Sequence, residues 1–135
     1  EIFARLMDRG MIPVITHPER NRLLQQKLDD LQKWVEQGAL IQVTSNSFTG
    51  RWGTHAKQFS DTLMKHNLVH CVASDAHDLK HRPPILTEAR EYIAKHWSEA
   101  RAKLLTITNP KAIIEGRELE RELEYPSAKP WWRFW

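Results

Sequence analysis

An α/β fold is what this sequence predicts, because short apolar runs of β type alternate with longer helical ones and glycine or proline punctuates the joints. Three runs carry the strands, at 13–16, 39–44 and 69–74. Strands separated by helices pair in parallel, since a parallel neighbour needs a long crossover.

The elements follow in order. Ile2, Phe3, Leu6 and Met7 recur at helical spacing, and Gly10 is a natural stop for that helix. Pro13, Val14, Ile15 and Thr16 form the first short strand. Leu24, Leu28, Leu31, Trp34 and Val35 give 23–37 a helical period that Gly38 closes. After the second strand, a polar loop containing Gly50 and Gly53 leads to a helix over 55–66, with Phe59, Leu63 and Met64 on its inner face. The third strand follows, then Pro83 and Pro84, a helix over 85–96 and another over 98–105. Asn109 and Pro110 suit the N-cap and first position of a last short helix ending near Gly116. Trp34, Phe59, Tyr92 and Trp97 sit at helical spacing and belong to the core.

Two architectures fit three such units: a small open sheet, or part of a larger barrel. A closed (β/α) barrel normally takes about 200 residues or more, against 135 here. The first helix has no capping residue before it, which favours the second architecture, with earlier strands preceding Glu1.

Composition narrows the function. The formal charge is +3, with 41% hydrophobic and 27% charged residues, as in an ordinary single domain. Acidic and basic residues alternate, and no basic stripe of the kind nucleic acids require precedes the last few residues. No apolar run approaches the roughly 18 residues of a membrane span. One cysteine, Cys71, excludes an internal disulfide framework and fits a reducing, cytoplasmic location.

The chemistry gathers where strands end. The first strand runs into His17, Pro18, Glu19 and Arg20, and the third into Ser74, Asp75, Ala76 and His77. In α/β proteins the C-terminal ends of parallel strands form the face on which sites are built. His17, Asp75 and His77 thus reach a common rim, and imidazole with carboxylate is a donor set for Zn, Mn or Fe-like divalent ions. Alternation along an extended Asp75-x-His77 segment places both side chains on one side. Arg20 and Arg82 accompany these donors, and guanidinium forks suit phosphate oxygens. Metal ligands beside phosphate-binding arginines point to phosphoester hydrolysis. Cys71 lies inside an apolar strand with no phosphate-cradling loop after it, so a cysteine nucleophile is not expected. His55 and His81 are expected at the surface.

His17-Pro18-Glu19-Arg20, Gln42-Val43-Thr44 with the segment from Ser47 to Gly53, Ser74-Asp75-Ala76-His77 with Arg82-Pro83-Pro84, and Asn109-Pro110 together resemble the successive signatures of the PHP-domain protein-tyrosine phosphatases of capsular and exopolysaccharide synthesis (CpsB/CapC-like). The resemblance covers 1–116. It implies the C-terminal part of a distorted (β/α)7 TIM-like barrel, with the N-terminal strands and further His and Glu ligands, including a His-x-His pair, upstream of Glu1. It also implies two or three divalent ions per intact site, commonly Mn with Fe or Zn as alternatives. In that pattern His17, Asp75 and His77 are ligands, and Arg20 and Arg82 hold the phosphate. The substrate implied is phosphotyrosine on a bacterial tyrosine kinase. The alternatives are a PHP-type phosphoesterase acting on a small phosphomonoester, and a non-catalytic regulatory fragment of the fold.

The expected organisation is therefore a phosphatase-domain portion over 1–117 and a tail over 118–135. That tail is charged first, then aromatic: Lys129, Trp131, Trp132, Arg133, Phe134 and Trp135 are expected to form a disordered end or a strand-like cap on the domain, with contact to a membrane surface or a protein partner as the alternative.

Overall fold

In the computed structural model, which describes residues 2–119, three parallel strands lie in the order β1-β2-β3: Val14–Thr16, Leu40–Thr44 and Cys71–Ala73. Val14 faces Leu40 and Thr16 faces Gln42, while Gln42 faces Cys71 and Thr44 faces Ala73. β2 is the middle strand, so Ile41 and Val43 are fully buried. The ladder runs past the strand ends, because the His17 N–H donates to the Gln42 carbonyl at 2.8 Å.

Helices cover this sheet: α1 (Ile2–Met7), α2 (Leu28–Glu36), α3 (Ser45–Phe48), α4 (Thr54–Lys65), α5 (Thr87–His96), α6 (Glu99–Lys103) and α7 (Asn109–Ile114). Their inner faces supply Leu31, Phe48, Leu63, Met64, Ile93 and Ala102, which join the β2 residues in one core. Trp34, Phe59, Tyr92 and Trp97 pack against it half-buried, as their spacing predicts. Ring edges add to this packing, with Phe3 meeting Trp34 at 5.2 Å between centroids in a T-shaped pair. No helix of the described residues is long and apolar enough to cross a membrane.

The structure departs from the periodicity in three places. The helix expected over 23–37 starts instead as a 3-10 turn, Leu24–Gln26, and becomes α-helical only at Leu28. Asn21 is the cause, because its Oδ1 accepts the N–H groups of both Leu23 and Leu24, at 3.0 and 3.2 Å, and sets a local turn. A short helix, α3, occupies ground read as polar loop. Asn109 is not an N-cap. It is itself helical, because a π-helical turn at Leu104–Thr108 carries the chain straight into α7. The Asn109 side chain instead donates to the His70 carbonyl at 2.9 Å and ties α7 to the start of β3.

The described residues therefore form an α/β fold with a small parallel sheet. The aromatic and basic end of the tail, from Lys129 to Trp135, lies outside the described residues.

Candidate functional site

Each outer strand of the sheet ends in a left-handed residue. His17, just past β1, has φ +41°, and Asp75, two residues past β3, has φ +53°. Asn67 is the one other non-glycine residue with positive φ among those described. His, Asp and Asn are the types that tolerate this region, at a cost of about 1–3 kcal/mol that the surroundings must hold in place. At both positions the chain turns sharply off the strand at the C-terminal edge of the sheet.

After His17, a 3-10 turn over Pro18–Arg20 sends the Arg20 side chain toward Asp75. After Asp75, the loop closes on itself. The N–H groups of His77 and Asp78 donate to the Arg82 carbonyl at 3.0 and 3.3 Å. Asp78 Oδ1 accepts the N–H groups of Lys80, His81 and Arg82 at 2.7, 2.5 and 3.2 Å. These backbone donors also hold the Asp78 carboxyl below its usual range. The ring so formed carries Arg82 back over Asp75.

There the two arginines meet on one atom. Arg20 Nη1 donates to Asp75 Oδ2 at 2.6 Å, and Arg82 Nη2 donates to the same oxygen. The three side chains are 25%, 26% and 21% exposed for Arg20, Arg82 and Asp75. Partial burial pulls the Asp75 carboxyl up, but the Arg20 hydrogen bond and the charges of Arg82, Arg20 and His77 outweigh it and hold it below 3.8. A depressed acid stabilises the fold above its unfolded pKa, so this clamp is intact at neutral pH and is lost as pH falls below 3.8. Both guanidinium carbons also lie over the Trp52 ring, Arg20 at 4.1 Å and Arg82 at 5.3 Å from its centroid. Beside them opens a recess of about 290 Å³ lined by Arg20, Arg22, Gln25, Trp52, Gly53 and His55.

Glu19 holds the floor. It is fully buried, and its Oε1 accepts the Thr44 N–H at 3.0 Å and the Ser47 hydroxyl at 2.7 Å, so the turn after β1 is fastened to the end of β2 and to α3. Oε2 and the neighbouring Thr44 Oγ1 are buried with no partner among the described residues. Burial pushes the Glu19 carboxyl up, against the lowering effect of Thr44, Ser47 and His17. A carboxyl raised in the folded state stabilises fully below its unfolded value of 4.5, and that contribution is lost as pH rises through the raised pKa. Glu19→Ala leaves two buried donors unanswered and is expected to cost about 2–4 kcal/mol in urea unfolding, whereas Glu19→Gln keeps an acceptor oxygen and costs less than about 1 kcal/mol. The glutamine variant should also lose the pH dependence just described.

Of the residues picked out by sequence, Arg20, Asp75 and Arg82 are brought together. His77 is not placed beside Asp75 by strand alternation, since the left-handed turn at Asp75 breaks the extended geometry. Its exposed ring bonds through Nδ1 to the Asp75 carbonyl at 2.8 Å. His17 is half-buried at the end of β1. Two imidazoles and a carboxylate are the right kinds of donor for a divalent transition ion. Among the described residues, however, no three His, Cys, Asp or Glu side chains converge on a point that could hold a metal, so His17, Asp75 and His77 are not brought together as a ligand set. His55 and His81 are exposed, as expected. Cys71 is buried in β3, and burial pushes its thiol up to about 11, the reverse of what a nucleophile needs.

Glu19 and Trp52 carry structural roles that spacing did not single out. A glutamate beside an arginine reads as surface charge. The signals were the proline before Glu19, which starts a turn, and the two glycines that bracket Trp52.

Comparison with known proteins places these residues in context. The family described as "Capsular polysaccharide synthesis, CpsB/CapC" matches residues 1–115. The chain is 37% identical over 126 residues to tyrosine-protein phosphatase YwqE of Bacillus subtilis, covering 93% of this chain and 49% of that protein. It is 34% identical over 116 residues to tyrosine-protein phosphatase CpsB of Streptococcus pneumoniae, covering 82% and 48%. It also superposes with a TM-score of 0.83 and 37% identity on a chain from crystal structures of YwqE and CpsB from those two organisms, described as unique metal-dependent tyrosine phosphatases, covering 90% of this chain and 49% of the other. The chain thus spans about half the length of these relatives.

Proposed function

Because the chain belongs to the CpsB/CapC family of capsular polysaccharide synthesis, we propose that it is the C-terminal part of a metal-dependent protein-tyrosine phosphatase that hydrolyses phosphotyrosine on a bacterial tyrosine kinase and so regulates capsule synthesis. The observation that carries this reading is the convergence of Arg20 and Arg82, from loops after different strands, on one carboxylate oxygen. Two guanidiniums that share one anionic oxygen form a grip that a phosphoryl group can use equally well.

In this proposal the three strands belong to a distorted (β/α)7 barrel, with residues 1–117 as part of its phosphatase domain and 118–135 as a tail. His17, Asp75 and His77 hold part of a divalent metal site, Mn with Fe or Zn as alternatives, and the full protein carries two or three ions. Bound divalent ions supply Lewis-acid polarisation of the phosphoryl group and make water more acidic. This chain's own part is to orient the phosphate. Arg20 and Arg82 fix its oxygens and offset the negative charge that builds on them in the transition state. Trp52 and the closed loop over 77–82 keep those arginines from swinging into solvent. A tyrosyl leaving group, with a pKa near 10, departs with less help from an acid than an alkyl alkoxide.

The full-length protein, assayed on a phosphotyrosyl peptide and on a small phosphomonoester before and after chelation, tests the proposal. Faster turnover of the peptide, lost on chelation and restored by Mn, is expected. A preference for the small ester would replace the substrate, and stoichiometric protein without bound metal or turnover would leave a regulatory module.

A further inference from the structure

Arg20 leaves the turn after β1, and Arg82 leaves the loop after β3, so the whole width of β2 separates their anchors. Two long side chains that meet across that gap lose rotamer freedom, and their like charges repel. Asp75 answers the repulsion, but only through the N–H edges of the guanidiniums. Trp52 answers it through a different surface. Its ring lies under both guanidinium carbons, and the π face of an indole attracts cations.

The indole is well placed to act as a fixed support. Its loop turns back three times in sequence, with the Gly50 N–H on the Ser47 carbonyl at 3.1 Å, the Arg51 N–H on the Asn46 carbonyl at 3.0 Å and the Gly53 N–H on the Gly50 carbonyl at 2.9 Å. Gly53 then takes φ +91°, which favours glycine, and α4 begins. Nε1 of the ring is buried without a partner among the described residues, so packing rather than a hydrogen bond at that atom sets its orientation.

We propose that Trp52 is a positioning residue that holds Arg20 and Arg82 together as one anion grip, independently of what their N–H edges are bound to. The inference rests on the phosphate-binding reading given above. Stacking occupies guanidinium faces and anion binding occupies their edges, so a phosphoryl group can take the place of the Asp75 carboxylate while both arginines stay on the ring. Without the ring, exchanging one anion for another would release two flexible cations into solvent, and each would have to be ordered again on binding.

The test uses the full-length, metal-loaded protein and measures inhibition by inorganic phosphate together with KM and kcat for a phosphotyrosyl peptide. Trp52→Leu is expected to weaken phosphate about tenfold and to raise KM by a similar factor, with metal content unchanged. Trp52→Phe keeps a π face and should recover most of the loss. In an Arg20→Ala background, the Trp52→Leu effect should shrink to about threefold or less, because the residue it works through is gone. A merely structural tryptophan would give the same factor in both backgrounds, and that additivity overturns the proposal. So does an unchanged phosphate affinity in Trp52→Leu. If Arg20→Ala and Arg82→Ala themselves leave phosphate affinity unchanged, the phosphate-binding reading fails with it. If they weaken phosphate and Trp52→Leu does not, only the role of the tryptophan is lost.

Discussion

Asp75→Asn in the full-length protein is expected to abolish turnover of a phosphotyrosyl peptide, with kcat/KM lower by more than about a hundredfold, and to reduce bound metal measured by elemental analysis. The change is nearly isosteric and keeps an acceptor oxygen, so shape is preserved while the charge is lost. That charge does two things. It neutralises two guanidiniums that otherwise repel each other beside it, and in the proposed site it is a hard, anionic donor to a divalent ion. Only Oδ2 is occupied by the arginines, and Oδ1 accepts no hydrogen bond from the described residues. One carboxylate therefore offers one edge to the grip and the other to an ion.

The two roles separate by measurement. If Asp75 serves only the arginines, Asp75→Asn changes phosphate inhibition but leaves metal content whole. If it is also a ligand, metal content falls as well. Unchanged metal content and kinetics would remove Asp75 from the site altogether. His17→Ala is a companion, since His17 meets Arg20 only through its backbone carbonyl, which the substitution keeps, and loss of the ring should cost metal without first disturbing the grip.

How much of this is legible in the chain differs from element to element. The strands are legible because Val14 and Ile15, Ile41 and Val43, and Cys71 and Val72 form short apolar runs whose length and flanks suit buried parallel strands. Their C-terminal ends then point to His17 and Asp75 as candidate site residues without any coordinates. The left-handed turns at those two residues are not legible, because any αR or β conformation suits their types as well. α3 is hidden since Ser45, Asn46 and Ser47 favour turns in isolation and are helical here only through burial under α4 and α5. Glu19 reads as surface charge, and its burial depends on two donors that lie 25 and 28 residues away. The meeting of Arg20 with Asp75 spans 55 residues. No local pattern encodes a contact of that range.

Arg82→Ala is expected to lower kcat/KM for the phosphotyrosyl peptide by about a hundredfold while metal content stays whole. The geometry supports the second half of that expectation as much as the first. Arg20 and Arg82 donate to the same oxygen, so removing Arg82 leaves Asp75 with a charged partner and does not strand a bare carboxylate. The loop need not collapse either, because Asp78 holds the backbone N–H of residue 82 and the N–H groups of His77 and Asp78 hold its carbonyl, none of which involves the side chain. What is lost is one prong of the grip. Arg82→Lys should recover only a small part of the activity, since an ammonium restores charge but neither the planar fork nor the stacking on Trp52. Loss of metal along with activity in Arg82→Ala would make Arg82 a support for Asp75 rather than a phosphate ligand, and full recovery by lysine would show that charge alone suffices.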